Sequence, residues 1–468
     1  INNGYEKLMV LRGEELAKWT GGFWQGGVPS TVEGLFFDTR IIEPNSLFIA
    51  LSYGVRDGHD FVEKALERGA SACMVEKALA YDIPQLIVPD SLEALANIAR
   101  NVRGNFKNPV IGITGSCGKT STKAMLEKVL GSDRTHTTSG NWNNCLGVSM
   151  TLAELHETDY GFSVIEAGVS GQGEMSVLSS IIRPNVCVFT NIGEAHLEGF
   201  GTVDSIAEEK SKLLESAEKG ALVVAPKTVL ERSVFEKYRE DAVAIVKGSV
   251  ETISPFKKVY GYEWTRLENH SAKVSLCCGD KNYEYQLESL SEGILQNSAL
   301  AVVLAIEMNV GMDRIIKGIE SWKPVGGRGT IIPLERSDKG FIYQDSYNAN
   351  PSSMLDSLKA FENASEDCEQ RLYVLGIMNE LGENACTFHE SVAKALKPKK
   401  GDRLIFIGDS ELTDAYEKGA KSVGWDDSEL ESFLAIELCN LDFSQFTGAI
   451  FLKGSRSCQL EALIPMFH

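Results

Sequence analysis

A chain of 468 residues exceeds what one ordinary hydrophobic core organises, and its length points to about three domains. Its 46 Lys and Arg against 65 Asp and Glu leave a net charge of −19, which repels a phosphate backbone and excludes nucleic acid as a general partner. The composition is 43% hydrophobic and 24% charged, with no apolar run long enough to span a bilayer and ten cysteines lacking any C-x-x-C pair; this describes a soluble, globular, cytoplasmic protein with reduced thiols.

Residues 1–107 carry short strand-like runs at Leu47–Leu51 and Ala72–Val75 and a helical stretch over Phe61–Arg68, without a nucleotide loop. The second unit, 108–325, opens at Asn108-Pro109 with an apolar strand, Val110–Thr114, then a glycine loop, then a helical pattern over Thr120–Leu130. Strands recur at Ser163–Ala167 and Val186–Thr190 with helical patterns between and after them, which predicts a parallel sheet with crossover helices. Residues 220–288 change character, with β-like runs such as Lys273–Cys277, and are expected to form a strand-rich insertion before a helix over Ser298–Met308. The third unit, 326–468, alternates again: strands Gly340–Gln344, Arg371–Leu375, Arg403–Gly408 and Gly448–Leu452, and helices Ser353–Phe361, Phe388–Lys397 and Glu411–Gly419. The predicted fold is α/β in three domains: a mixed α/β N-terminal domain, a central phosphate-loop domain on a parallel sheet, and a C-terminal Rossmann-like domain.

The strongest local signal is Gly115-Ser116-Cys117-Gly118-Lys119-Thr120-Ser121, set between the strand and the helix. Glycines keep side chains off the backbone, so N–H groups and the helix N-terminus can hold phosphate oxygens. Lys119 would neutralise the β- and γ-phosphates of ATP and the Thr120 hydroxyl would bind Mg²⁺. The spacing is not the usual one, because Ile113 stands where a longer loop has glycine. A glycine-rich turn with a surface lysine is the alternative, but strand and helix flank the loop in the order that ATP binding requires.

Glu166 ends one apolar strand, and His196 follows another in Val186-Cys-Val-Phe-Thr-Asn-Ile-Gly-Glu-Ala-His196. In a parallel sheet both fall on the edge that carries the phosphate loop, within reach of a second magnesium; an ordinary hydrogen-bonded role is the alternative for each. Lys210 lies in the helical Ile206–Leu214 and reads either as a solvated lysine or, after reaction with CO₂, as an anionic carbamate able to hold metal.

With these motifs assembled, the chain resembles the Mur ligase family over nearly its whole length, most closely the MurF type. Phe37-Asp38-Thr39-Arg40, Asn45–Leu51, Asp57-Gly-His-Asp-Phe61 and Gly69-Ala70 are similar to the family's uridine-nucleotide domain, which makes Asp38, Thr39 and Arg40 expected substrate contacts. Thr138-Ser-Gly-Asn141-Trp-Asn143-Asn144-Cys-Leu-Gly147 resembles the asparagine-rich loop, so those three asparagines are expected to face the peptide or metal-bound water. Ala195–Gly201 matches the pattern that makes His196 a metal ligand, and Lys210 falls at the carbamylated lysine. Pro324-Val-Gly-Gly-Arg328-Gly329 looks like the linker whose arginine approaches the nucleotide phosphates. In Asp345-Ser-Tyr-Asn348-Ala-Asn350-Pro-Ser-Ser-Met354, Asp345 would hold the ATP ribose or orient Arg328, while Asn348 and Asn350 would order the cleft. Glu380-Leu-Gly382, His389 and Lys453-Gly-Ser-Arg456 match later motifs. The chain departs from the family at Gly376-Ile377-Met378, where an aspartate is usual, and at Leu295-Gln-Asn297-Ser-Ala299, where Asn297 stands in for the adenine-side asparagine.

The resemblance implies ATP-dependent joining of D-alanyl-D-alanine to UDP-N-acetylmuramoyl-tripeptide through an acyl phosphate, by a cytoplasmic monomer that uses ATP and Mg²⁺. A MurE-type ligase adding one amino acid, a folylpolyglutamate-synthetase-like ligase and a non-catalytic nucleotide-binding homologue are the competing expectations. The folylpolyglutamate reading leaves residues 1–107 without a role.

Overall fold

The computed structural model describes residues 9–53, 56–155, 160–250, 255–335, 337, 339–436, 443 and 446–467. Near the start, a five-stranded sheet runs in the order Phe23–Gln25, Gln85–Ile87, Ala72–Val75, Leu47–Ile49, Leu35–Phe36. Only its first pair is antiparallel. The helix Ser91–Asn105 follows, with the Asp90 side chain capping it by accepting from the Glu93 N–H. Its buried face, including Leu95, Ile98, Ala99 and Val102, packs against helices Cys145–Ala153 and Glu174–Ile182 of the next unit. Arg103 ties the junction. It is 4% exposed, and its guanidinium donates to the carbonyls of Ile182 (2.8 Å), Phe106 (3.1 Å) and Arg183 (2.6 Å) and to Asn185 Oδ1 (2.9 Å).

The central sheet has nine strands, in the order Thr135–Thr137, Phe162–Glu166, Val110–Thr114, Val186–Phe189, Leu222–Pro226, Ala242–Lys247, Lys258–Arg266, Ala272–Cys278, Lys281–Leu287. The first seven are mutually parallel and the last three form an antiparallel meander. Val110–Thr114 is buried throughout, as a parallel strand covered on both faces must be. From it the chain moves first to one side of the sheet and later to the other, which leaves the crevice at its C-terminal end as the binding position of a doubly wound sheet.

One expectation is corrected here. Residues 220–288 are no insertion; they are the far half of this same sheet. Leu222–Pro226 and Ala242–Lys247 are short strands in parallel register, apolar but for Lys247 at the end of the second, and in the meander beyond them strand Ala272–Cys278 alternates buried and half-buried positions because only one face packs on the core.

The third sheet has six strands, in the order Thr330–Pro333, Phe341–Gln344, Ala449–Lys453, Arg371–Gly376, Arg403–Ile407, Leu430–Phe433, with all but the first parallel. The architecture is the three-domain α/β arrangement expected from the sequence, and the strands and helices anticipated in the third unit all form. Asp356 in helix Pro351–Ala364 accepts from Ser291 Oγ (2.5 Å) and the Gly293 N–H (3.3 Å) at the start of helix Glu292–Glu307, which joins the second and third units. Among the described residues no helix is long and apolar enough to cross a membrane.

Candidate active site

Strand Val110–Thr114 runs directly into Gly115–Gly118 and helix Lys119–Leu130. Gly118 has φ 78°, and a Cβ there would lie 2.3 Å from Asn297 Nδ2; a Cβ on Gly115 would lie 1.9 Å from Thr190 Oγ1. Both positions therefore require glycine. The segment after strand Val186–Phe189 braces the loop. The N–H groups of Ser116 and Cys117 donate to Asn191 O (3.1 Å) and Asn191 Oδ1 (2.9 Å), Ser116 Oγ donates to Gly193 O (2.9 Å), and Thr190 Oγ1 donates to Cys117 O (2.5 Å). With Ser116 and Cys117 committed to Asn191, the N–H groups left free to hold an anion fall one step later, on Lys119, Thr120 and Ser121, which have no partner within the helix. Lys119 Nζ folds back onto Gly115 O (2.8 Å). Burial pushes its ammonium below the usual lysine range, against the opposing pull of Glu166. Cys117 is a filler: burial raises its thiol, and Sγ accepts from Asn191 Nδ2 (2.5 Å).

Glu166, 1% exposed, is the hub of the site. Its Oε1 accepts from Thr120 Oγ1 (3.1 Å) and Asn143 Nδ2 (2.8 Å), and its backbone N–H donates to Thr138 Oγ1 (2.8 Å). Its Oε2 lies 3.2 Å from Lys123 Nζ as an ion contact without hydrogen-bond geometry. Burial pushes this carboxyl upward, but Lys123 and Lys119 outweigh it, and the net shift is downward, towards the ionised form.

His196, at φ 57°, pairs through Nδ1 with the Glu380 carboxylate of the third unit. Glu380, itself at φ 62°, also accepts the Glu198 N–H on its carbonyl (3.1 Å). Burial lowers the imidazole pKa despite Glu380, which favours the neutral, ligating form. Lys210, in helix Val203–Ser211, is 1% exposed, and its Nζ has no hydrogen-bond partner among the described residues. Burial, then the nearby Lys119, lowers its pKa well below 10.5. The solvated-lysine alternative is thereby excluded: this amine is buried and disposed to be neutral.

The third unit contributes from the C-terminal ends of its strands. Asp345 accepts from Ser357 Oγ (2.5 Å) and Lys453 Nζ (2.7 Å), and Lys453 also donates to Asn348 O (3.1 Å). Arg328 is not held by Asp345; its guanidinium lies 3.7 Å from the Tyr347 ring centroid. Asn350 caps helix Pro351–Ala364 in a reciprocal pair with Ser353, and Ser352 Oγ donates to Glu194 Oε2 (2.8 Å) across the cleft. Ile377 packs on the third-unit core and against Gly408, so an apolar contact occupies the position of the family's aspartate. His389 is structural, accepting the Met378 N–H at Nε2 (2.9 Å).

The remaining expected contacts make local bonds. Asn144 caps helix Cys145–Ala153, Asn141 O accepts the Asn143 N–H (2.7 Å), and Asn141 is exposed. Asp38 and the 80% exposed Arg40 pair with one another at 2.5 Å, while Thr39 is buried with its carbonyl accepting from Arg68 (2.8 Å). Sequence reasoning missed Lys123 and Asn191. Lys123 lies one helical turn beyond Lys119, a spacing visible in Lys119-Thr-Ser-Thr-Lys123, but nothing local says that its ammonium points inward.

A braced phosphate loop, a buried carboxylate beside it and a facing Rossmann-like unit define a nucleotide-dependent enzyme whose site is completed between two domains. Comparison with known proteins makes the class specific. The family description "Mur ligase middle domain" matches residues 113–305, and "Mur ligase, glutamate ligase domain" matches 327–437. The UDP-N-acetylmuramoyl-tripeptide–D-alanyl-D-alanine ligase of Bacillus subtilis (strain 168) is 30% identical over 81% of this chain and 80% of its own. A MurF crystal structure from Acinetobacter baumannii superposes with a TM-score of 0.84 at 27% identity, covering 98% of this chain and 99% of that one. The MurF ligase of Thermotoga maritima in complex with ADP gives 0.76 at 25% identity over 92% and 96%. The chain belongs to the Mur ligase family of ATP-dependent ligases.

Proposed function

We propose that this chain joins D-alanyl-D-alanine to UDP-N-acetylmuramoyl-tripeptide, with cleavage of ATP, to give the pentapeptide precursor of peptidoglycan. The reading is carried by the nearly full-length likeness to ligases of that name. The tripeptide carboxylate attacks the γ-phosphate to give an acyl phosphate and ADP. The dipeptide amine then attacks the acyl carbon, and the tetrahedral intermediate expels phosphate. Two anions must approach one another in the first step; Lys119 and the N–H groups of Lys119, Thr120 and Ser121 supply the opposing charge on the phosphate side. Arg328 adds to it from the linker, and Asp345, Asn348 and Asn350 order the third-domain wall. Asn297 backs the loop on the adenine side.

The donor set fits Mg²⁺, which takes one or two carboxylates and keeps water and phosphate oxygens for the rest. Thr120 would hold one such ion at the phosphates, and Glu166, whose Oε2 has no hydrogen bond among the described residues, neutral His196 and Lys210 as a carbamate would hold a second; their charge would neutralise the phosphates. The unpartnered buried Lys210 amine supports the carbamate. Asp38, Thr39 and Arg40 would face the uridine end, and Asn141, Asn143 and Asn144 the peptide. We take the domains as 1–107, 108–325 and 326–468, since each sheet falls within one of these segments. The nine described cysteines are free, which supports a cytoplasmic location; we take the protein to act as a monomer.

Phosphate release with ATP, Mg²⁺, the UDP-tripeptide and D-alanyl-D-alanine, each omitted in turn, tests the reading. Release that needs both peptides is the expected result. Release with a single amino acid replacing the dipeptide would move the chain to the MurE type, and ATP binding without release under any condition would favour a non-catalytic homologue.

A further inference from the structure

Lys123 has no part in the reaction set out above, yet it is only 5% exposed, in the middle of the site. It donates to Thr138 O (2.7 Å) and Gly140 O (2.7 Å) and stands 3.2 Å from Glu166 Oε2. Those carbonyls belong to the asparagine-rich loop, whose Ser139, Gly140, Asn141, Trp142 and Asn144 are all exposed. We propose that Lys123 is a positioning residue that sets the asparagine-rich loop against Glu166, so that capture of the peptide end of the muramoyl substrate depends on it. This rests on the function proposed above.

The geometry carries the assignment in three ways. An ammonium has diverging donors and a compact charge: two N–H groups reach the carbonyls of Thr138 and Gly140 while the charge faces Glu166 Oε2 as an ion contact, a set that a planar guanidinium would not match. The loop leaves its strand at Thr137 and has few anchors of its own. Thr138 Oγ1 accepts the Glu166 N–H (2.8 Å), Asn143 Nδ2 donates to Glu166 Oε1 (2.8 Å), and Asn143 O accepts the Gly168 N–H (2.9 Å). These three anchors reach Glu166 or the second residue after it, beside the Thr138 N–H bond to Val164 O (3.3 Å) and the Trp142 ring against Phe37, so the loop and the carboxylate are tied together, and Lys123 holds the start of the loop beside that carboxylate. Lys119 lies one turn earlier on the same helix, so a single helix presents one cation to the phosphates and the next to the loop that faces the peptide.

The test compares full-length wild type, Lys123→Met and the double variant Lys123→Met/Glu166→Gln, which removes both members of the Lys123–Glu166 ion contact together. Amide hydrogen exchange over residues 138–144 is followed by mass spectrometry, and calorimetry gives affinities for ADP and for UDP-N-acetylmuramoyl-tripeptide. In Lys123→Met, loop exchange rises at least about tenfold and tripeptide affinity falls roughly 10–100-fold while ADP affinity is retained, the scale expected when a residue supporting a ligand-binding group is lost. The double variant shows the same loosened loop, because Thr138 and Gly140 still lose their donor; it decides the matter if the single variant fails to fold. Loop exchange at the wild-type level in either folded variant overturns the proposal, as does a loosened loop with unchanged tripeptide affinity. A wild type that binds no UDP-tripeptide refutes the functional reading instead, and loop exchange alone then decides the role of Lys123.

Discussion

Replacing Lys210 by Met should make the protein more stable and much less active. Lys210 is 1% exposed and its amine has no hydrogen-bond partner among the described residues, so folding strips its water and returns nothing. Such an unsatisfied group costs about 1–3 kcal/mol, and Met fills similar space without the polar atom. A gain of about 2 kcal/mol raises the unfolding midpoint of the central domain by roughly 4–8 °C. The pH dependence has a definite sign. The folded-state pKa lies well below 10.5, so the unfolded chain binds more protons across that interval, and wild-type stability rises with pH until the unfolded amine also titrates. The advantage of the Met variant therefore shrinks between neutrality and pH 10.5. Calorimetric or fluorescence melts in CO₂-depleted buffer, with phosphate release assayed in parallel, measure both effects. A midpoint that falls, or an advantage that does not change with pH, would refute the picture of an unpartnered buried amine; unchanged turnover would remove Lys210 from the site.

Three further outcomes follow from the geometry. Glu380→Gln, which leaves the Glu198 N–H bond to the 380 carbonyl intact, should lower kcat about 10–100-fold by loosening His196; steady-state kinetics giving wild-type values would show that the pair does not orient the histidine. Gly118→Ala forces a Cβ to 2.3 Å from Asn297 Nδ2 at φ 78°, so ADP affinity in calorimetry should fall at least about tenfold, and retained affinity would mean that the loop has room to shift. Asp402→Ala strands the buried Arg371 guanidinium, whose Nε lies 3.1 Å from Asp402 Oδ2, and should cost the third domain about 3–5 kcal/mol in denaturant melts; a loss below about 1 kcal/mol would show that water reaches the arginine.

The chain's local chemistry set out much of this in advance. Val110–Thr114 had to be a covered parallel strand because all its residues suit burial, and Gly115 and Gly118 announced a backbone that approaches other atoms closely. The alternation of strands and helices in the third unit likewise followed from period and turn residues alone. The far half of the central sheet did not. Leu222–Pro226 and Ala242–Lys247 are short apolar runs whose partners lie in other parts of the chain, and periodicity does not reveal a parallel neighbour. Burial of a long polar side chain was equally hidden. Lys123 and Lys210 read as ordinary helix lysines, and only the packed structure shows one ammonium enclosed by three oxygens and the other amine enclosed without a hydrogen-bond partner among the described residues. The meeting of His196 with Glu380, 184 residues later, depends on how two sheets face one another. The sequence determined the phosphate loop and the class of chemistry, because those depend on residues within a few positions of each other; the tertiary structure decided which charges are paired, since pairing is set by distance in space and by the exclusion of water.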